Sequence, residues 1–262
     1  MNIHGEPQKR TEAALMSLAL SWGDDMDAGG HAWAVEMPRA YRGMLAGQGW
    51  EFDPIKQQWI TDHGRAISPA EQKRISLTLA AAVSLDMQNQ TRRMIDGNLE
   101  VGQWQDIIGR DTANLLIAQA ALAAGGIDEI TPSIQASIIG DIADETGLVF
   151  SLSRLQVFAT DVAGGQMNEA AILNRAGLYG SSSNTIYEQS RGIGHADALS
   201  AAGAPLFGFE RNVLSDVLHC PECPALTDLG WVKIGTLPEP GTRICAMNCW
   251  CYLEYSATGN EE

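Results

Sequence analysis

All five cysteines of this 262-residue chain lie after residue 219, and their spacing constrains the fold more than any other feature. They form two groups, Cys220-Pro-Glu-Cys223 and Cys245-Ala-Met-Asn-Cys249-Trp-Cys251. Cysteines used only as small core residues would be scattered along the sequence. Two short chelating segments instead supply the four thiolates that a closed, tetrahedral zinc site needs. The sequence therefore predicts a structural Zn²⁺ site in the C-terminal region.

Five cysteines compete for four coordination positions, so more than one ligand set is open. The favoured metal ligands are Cys220, Cys223, Cys249 and Cys251, and the substitutes are Cys245 and His219. A disulfide pair, buried thiols without a metal, and iron in place of zinc are alternatives. The N-terminal residues lack the basic and apolar blocks of a secretory signal, so we expect reducing cytosol and favour the metal.

Length, hydrophobicity and charge limit the class of protein. With 45% hydrophobic residues, a chain of this length can bury a sizeable core in one or two domains. No stretch reaches the roughly 20 apolar residues that span a bilayer, so we expect no membrane segment. The net charge of −15 opposes attraction to phosphate backbones. Nucleic acid is therefore not expected as the main ligand.

The middle of the chain has the patterns of a helical bundle. Ser68-Pro-Ala-Glu71 combines an N-cap hydroxyl, a proline at the first helical position and a glutamate at N3, which together predict the start of a helix. Alanine-rich, proline-free sequence after Val101 predicts a second. The predicted helices cover residues 68–95, 101–124, 131–162 with candidate breaks at Gly140 and Gly147, and 167–202 with an interruption at 180–184.

Four regions follow from these patterns. They are a mixed N-terminal region at 1–67, with a short helix expected at 13–20, a helical body at 68–204, a Cys-rich, zinc-stapled β element at 205–257, and a tail at 258–262. In the β element, residues 206–210 and 231–234 favour strands. So small an element needs a metal cross-link for stability. The predicted fold class is mainly α, a helical body with a small C-terminal zinc-bound β element.

The order of features from Tyr187 to Leu253 resembles that of a known family. A helical segment, Tyr187-Glu-Gln-Ser-Arg191, is followed by small residues at 201–203, a strand, Cys220-Pro-x-Cys223, a Pro-Gly loop and Asn248-Cys-Trp-Cys-Tyr-Leu253. This pattern is similar to the phage Mu F-like head-morphogenesis (minor capsid) domain. Trp250 stands where that family often has an arginine.

The resemblance implies a virion structural or assembly protein without catalytic residues, acting in head morphogenesis near the portal or head-tail connector. The implied partners are phage portal, capsid or connector proteins and further copies of the chain in a homo-oligomer. The implied location is the virion, after assembly in the host cytoplasm. The acidic charge suits binding to basic protein surfaces. An enzyme or toxin module carrying a Mu F-like domain and a non-viral zinc-ribbon adaptor are alternatives.

Signals for catalysis are few. The sequence contains no G-x-x-x-x-G-K-[ST], H-E-x-x-H or G-x-S-x-G motif. His195 and Asp197 would be base and orienting acid in a hydrolase, but no nucleophile has an identifiable spacing, and a solvated surface turn explains them as well. A catalytic zinc with Glu222 as acid–base group is disfavoured because sulfur ligands suffice to fill the shell. The tryptophans expected to anchor the core or subunit contacts are Trp33, Trp50, Trp59 and Trp104.

Overall fold

Helices make up most of the structure, and a small antiparallel sheet follows them. The computed structural model describes residues 50–61, 63–143, 152–203, 208–215, 219–240, 243 and 249–259. The helices are α1 (Pro69–Ile95), α2 (Val101–Ala124), α3 (Pro132–Ala143), α4 (Leu152–Ala163), α5 (Glu169–Ser181), α6 (Ser183–Ala201) and α7 (Glu222–Thr227). The strands are β1 (Glu51–Asp53), β2 (Gln58–Ile60), β3 (Phe209–Val213), β4 (Val232–Lys233) and β5 (Tyr252–Ser256). The predicted class, mainly helical with a small C-terminal β element, is confirmed.

The ends of the first two helices follow the capping signals of the sequence. Ser68 Oγ accepts a hydrogen bond from the Glu71 N–H at 3.2 Å, which satisfies one of the free donors at the start of α1. The prolines at the first helical positions of α1 and α3 lack the N–H that would be unpaired there. α2 ends at Gly125, whose φ of 102° places it in the left-handed region that glycine tolerates. The predicted bounds of α1 and α2 are confirmed.

Later boundaries differ from the sequence prediction in part. Gly140 lies within α3, so the candidate break there is wrong, because an exposed glycine inside a helix weakens it without ending it. The helix pair predicted for 167–202 is confirmed as α5 and α6, which meet at Ser182. Strand β3 begins at Phe209 and runs on to Val213, later than predicted. The expected short helix at 13–20, Trp33 and Gly147 lie outside the described residues.

α2 is the central helix of the body and contacts α1, α3, α4, α5 and α6. Its buried face includes Trp104, whose indole N–H donates to Thr91 Oγ1 of α1 at 2.9 Å. Trp59 of β2 enters the same core and donates its indole N–H to the Leu122 carbonyl at 2.8 Å. These two tryptophans are core anchors, and they join the β1–β2 hairpin to the helices. Within the described residues, none of the helices has both the length and the apolar character required to cross a membrane.

Alanine substitutions at two glycines test how closely the helices pack. A methyl group at Gly180 of α5 would lie 2.8 Å from the Ser84 backbone nitrogen of α1, whereas one at Gly140 would meet nothing within 4 Å. We therefore expect Gly180→Ala to destabilise the protein by about 1–3 kcal/mol through overpacking. Gly140→Ala is the control and should stabilise it by about 0.5–1 kcal/mol. Urea unfolding measures both, and equal effects of the two substitutions would contradict the close approach of α1 and α5.

The C-terminal sheet has the strand order β4-β3-β5, and both pairings are antiparallel. Phe209 pairs with Ser256 and Val213 with Tyr252, so β5 runs along the full length of β3. β5 also contacts α1 and α6. The Arg191 Nη1 of α6 donates to the Leu253 carbonyl at 2.9 Å. The β element is thus joined to the helical body through its C-terminal strand.

A buried group of charged side chains lies where α1, α6 and β5 meet. Lys73 Nζ donates to Glu188 Oε1 at 2.7 Å and to Asn184 Oδ1 at 2.6 Å. Arg191 Nη1 lies 3.5 Å from Glu188 Oε2. The side chains of Lys73, Glu188 and Arg191 are at most 2% exposed. One carboxylate is therefore shared between two buried cations.

Candidate metal centre

The C-P-x-C segment places two thiols side by side at the start of α7. The Cys223 N–H donates to the Cys220 carbonyl at 3.1 Å, which closes a tight turn. The two Sγ atoms lie 3.4 Å apart. Cys223 is fully buried and Cys220 is half-buried. The turn therefore directs both sulfurs to the same side, as the spacing predicts.

Two further thiols come from the segment that leads into β5. Cys249 and Cys251 precede Tyr252, which pairs with Val213 at the end of β3. Because α7 also contacts β3, this register brings the segment beside Cys223. The Sγ atoms of Cys223, Cys249 and Cys251 all lie within 4.8 Å of one another, and all three residues are buried. Strand pairing thus joins cysteines that are distant in sequence.

The donor set suits a soft metal ion. A tetrahedral site with Zn–S bonds of about 2.3 Å separates neighbouring sulfurs by roughly 3.8 Å, which is compatible with the observed group. Three buried cysteines are therefore close enough to hold a metal ion. Cys220 approaches Cys223 but is not a member of this group of three. None of the four cysteines that the structure describes forms a disulfide bond.

An arginine and an asparagine outside the cysteine motifs support the site. Arg243 Nη1 donates to Asn212 Oδ1 at 2.6 Å and lies 3.7 Å from Cys223 Sγ. Asn212 Nδ2 donates to the Cys223 carbonyl at 3.1 Å and to Thr227 Oγ1 at 2.7 Å. Both side chains are buried. Outer hydrogen bonds of this kind orient metal ligands, and the guanidinium offsets the negative charge of thiolates.

Sequence reasoning did not identify these two supporting residues. Asn212 lies in the strand β3 and Arg243 lies between the cysteine groups, and neither has a spacing that marks a ligand. The one available signal was their type, since both side chains carry several hydrogen-bond donors. Their role depends on the pairing of β3 with β5 and on the position of α7, which are tertiary features.

The environment of two of these thiols, Cys223 and Cys251, raises their pKa values. Burial raises the pKa of the Cys223 thiol above its usual value, and the Cys220 thiol raises it further, whereas Arg243 acts in the opposite direction. A hydrogen bond with Cys249, followed by burial, raises the pKa of the Cys251 thiol. A metal ion must therefore displace protons from these thiols when it binds. Binding at this site is expected to weaken as the pH falls.

The site is also joined to the helical body. Asn184 of α6 donates its Nδ2 to the Cys249 carbonyl at 3.3 Å. The Oδ1 of the same side chain accepts the hydrogen bond from Lys73 of α1. A single buried asparagine therefore connects the cysteine segment with two helices.

The other sequence candidates lie elsewhere or outside the described residues. His219 is exposed, and Glu222 is half-buried at the first position of α7. Among the described residues, neither belongs to the group of close metal-ligating atoms. Cys245 lies outside the described residues. Trp250, between the last two cysteines, is 41% exposed.

The His195–Asp197 segment is helical, so the expectation of a solvated surface turn is wrong. His195 is buried on α6, its Nδ1 lies 2.8 Å from the Ile55 carbonyl, and its ring stacks on Tyr255. Asp197 Oδ2 accepts a hydrogen bond from Thr131 Oγ1 at 2.7 Å. The glycines beside His195 suggested a turn, but glycine also occurs within helices where close packing requires a small residue. His195 therefore connects α6 to the β1–β2 loop, and Asp197 connects α6 to the residue before α3.

The buried histidine predicts a dependence of stability on pH. Burial lowers the pKa of the His195 imidazole below its usual value. Between the lowered pKa and about 6.5, the unfolded chain binds the proton and the folded chain does not, so stability falls as the pH is lowered, by at most about 1.4 kcal/mol per pH unit. We expect His195→Asn, which retains a hydrogen-bond donor, to lose this part of the pH dependence of stability. Urea unfolding of both proteins at pH 7.5 and 5.5 tests it, and a wild-type–variant difference that is constant with pH would contradict it.

Comparison of the chain with protein-family models, with curated proteins and with solved structures gave no match.

Proposed function

We propose that Cys220, Cys223, Cys249 and Cys251 bind one structural Zn²⁺ that holds the C-terminal β element in its fold. The mutual proximity of three buried thiols supports this assignment. The fourth ligand would be Cys220, whose Sγ lies 3.4 Å from that of Cys223. An all-sulfur tetrahedral set favours zinc, with iron as the competitor. Four thiolates fill the zinc shell and leave no position for a reacting water. The site therefore serves stability rather than catalysis.

We further propose that the protein is a phage virion structural or assembly protein, a head-morphogenesis or minor capsid component. The observation that carries this proposal is the resemblance of the C-P-x-C and N-C-x-C pattern to the Mu F-like domain. Its partners would be portal, capsid or connector proteins and further copies of the chain, near the portal vertex. The net charge of −15 suits contact with basic protein surfaces. Its work is binding, and it requires no catalytic residue.

Mass spectrometry of purified phage particles tests this function. The chain should be present at a constant ratio to the major capsid protein through successive density-gradient and nuclease steps. Cys223→Ser, introduced into the phage genome, should lower its incorporation, while Gly140→Ala should not. Absence of the wild-type chain from particles would overturn the virion assignment and favour a zinc-ribbon adaptor or a delivered enzyme module.

A further inference from the structure

A cavity of about 430 Å³ lies between α6, the C-terminal sheet and the loop that joins β1 to β2. It is separate from the cysteine site. Its volume is within the range of pockets that bind small molecules. The residues that give it its chemistry are Lys56, Arg191, Arg211, Trp231, Glu254 and Tyr255.

Two nitrogens of the buried Arg191 guanidinium, at the wall of this cavity, have no hydrogen-bond acceptor among the described residues. Arg191 is 1% exposed, and its guanidinium lies 5.2 Å from the centre of the Tyr255 ring. Nη1 donates to the Leu253 carbonyl, but Nε and Nη2 have no hydrogen-bond partner among the described residues. Nearly all buried donors in native proteins have a partner, and an arginine remains protonated. An absent acceptor, such as an anion, would complete this side chain.

The local charge balance also favours an anion. Arg191 shares the Glu188 carboxylate with Lys73, so this buried group carries more positive than negative charge. At the cavity wall, Arg211 is paired with Glu254 at 2.7 Å, and the exposed Lys56 adds a further cation. The side chains that line the cavity thus include three cations and one carboxylate, in a chain of net charge −15. This cavity is a positive site on an acidic protein.

Trp231 supplies an apolar surface and, beside the charged guanidinium of Arg191, a neutral hydrogen-bond donor. Arg211 lies over its ring, 4.8 Å from the ring centre. Its buried indole Nε1 has no partner among the described residues. An indole N–H and a guanidinium at one cavity are donors that an oxyanion accepts.

We propose that this cavity binds a small organic oxyanion, a carboxylate or a phosphate ester. Arg191 and the Trp231 indole donate hydrogen bonds to the anionic group, and Lys56 at the rim attracts it. The aromatic rings of Trp231 and Tyr255 contact the organic part. This binding is independent of the cysteine site and of the virion assignment.

Isothermal titration calorimetry of the full chain with three probes of similar shape tests the proposal. Phenyl phosphate and benzoate carry the two candidate anions, and benzamide carries no charge. One of the anions should bind saturably at one site, and the tighter of the two identifies the anionic group. Benzamide should bind at least about tenfold more weakly, as expected from the loss of a charge-assisted interaction.

Three variants locate the binding. Trp231→Phe keeps a ring but removes the indole donor, and Lys56→Gln removes a cation at the exposed rim, so neither should disturb the fold. Each should weaken binding by about three- to tenfold, and Arg191→Lys by more. Arg93→Gln, which removes an exposed cation of α1 away from the cavity, should leave binding unchanged. No saturable binding of either anion, equal binding of benzamide, or unchanged affinity in both Trp231→Phe and Lys56→Gln would overturn the proposal.

Discussion

Removal of the proposed zinc ion is expected to unfold the C-terminal β element while the helical body remains folded. The buried apolar group of the sheet, apart from the cysteines, is small and is centred on Leu237, Leu253 and Tyr255. Structural zinc supplies on the order of 10 kcal/mol of apparent binding free energy in small zinc-dependent domains. After dialysis against a strong chelator, protease cleavage should appear between residues 219 and 251. Far-UV circular dichroism should change little because α1 to α6 have their own buried apolar clusters, separate from the cysteine site.

Serine substitutions identify the ligands in the same experiment. Cys223→Ser and Cys251→Ser should lose the bound zinc, measured as metal per chain by elemental mass spectrometry, and should show the same cleavage. Cys220→Ser and Cys245→Ser distinguish the fourth ligand: we expect zinc loss in the first and retention in the second. A C-terminal region that stays equally resistant to protease after complete chelation would contradict the structural role of the metal.

The second large effect is expected from Glu188, the carboxylate shared by Lys73 and Arg191. Glu188→Gln preserves the size of the side chain but leaves two buried cations without a counter-charge. Breaking a buried ion pair in this way typically costs about 3–5 kcal/mol. That loss is a large part of the 5–15 kcal/mol by which a typical domain is stable. Chemical denaturation followed by circular dichroism should show a correspondingly lower midpoint.

Glu169 provides the matched control on the surface. It pairs with Arg92, and both side chains are about half exposed. An exposed pair contributes about 0–1 kcal/mol, so Glu169→Gln should have a small effect. Equal destabilisation by Glu188→Gln and Glu169→Gln would contradict a stabilising role of the buried charged group of Lys73, Glu188 and Arg191.

The sequence predicted well those features that depend on local chemistry. Helix α1 begins at a capping serine and a proline, and α2 ends at a left-handed glycine, and each of these signals lies within a few residues of the boundary that it sets. The C-P-x-C turn is local in the same sense. For this reason the helical class, the two long helices and the proximity of Cys220 to Cys223 could be read directly.

Features that depend on distant contacts were not predictable in the same way. Nothing near His195 in sequence shows that Ile55 and Tyr255 surround its ring, and the neighbouring glycines suggested a turn. Asn212 and Arg243 act on Cys223 through the packing of α7 on β3. The buried charged group around Glu188 joins residues more than a hundred positions apart. Such partners are determined by topology, and a single sequence does not encode them as a spacing.

The two hydrogen bonds that join the cysteine segment to α6 end on backbone carbonyl groups, those of residues 249 and 253. Such bonds depend on the path of the main chain and are indifferent to the side chain attached to it. We therefore expect that the exposed Trp250, which lies between these two carbonyl groups, can be replaced by other residue types during evolution without loss of either hydrogen bond. Asn184 and Arg191 donate these bonds from their side chains, so replacing either residue would remove a bond.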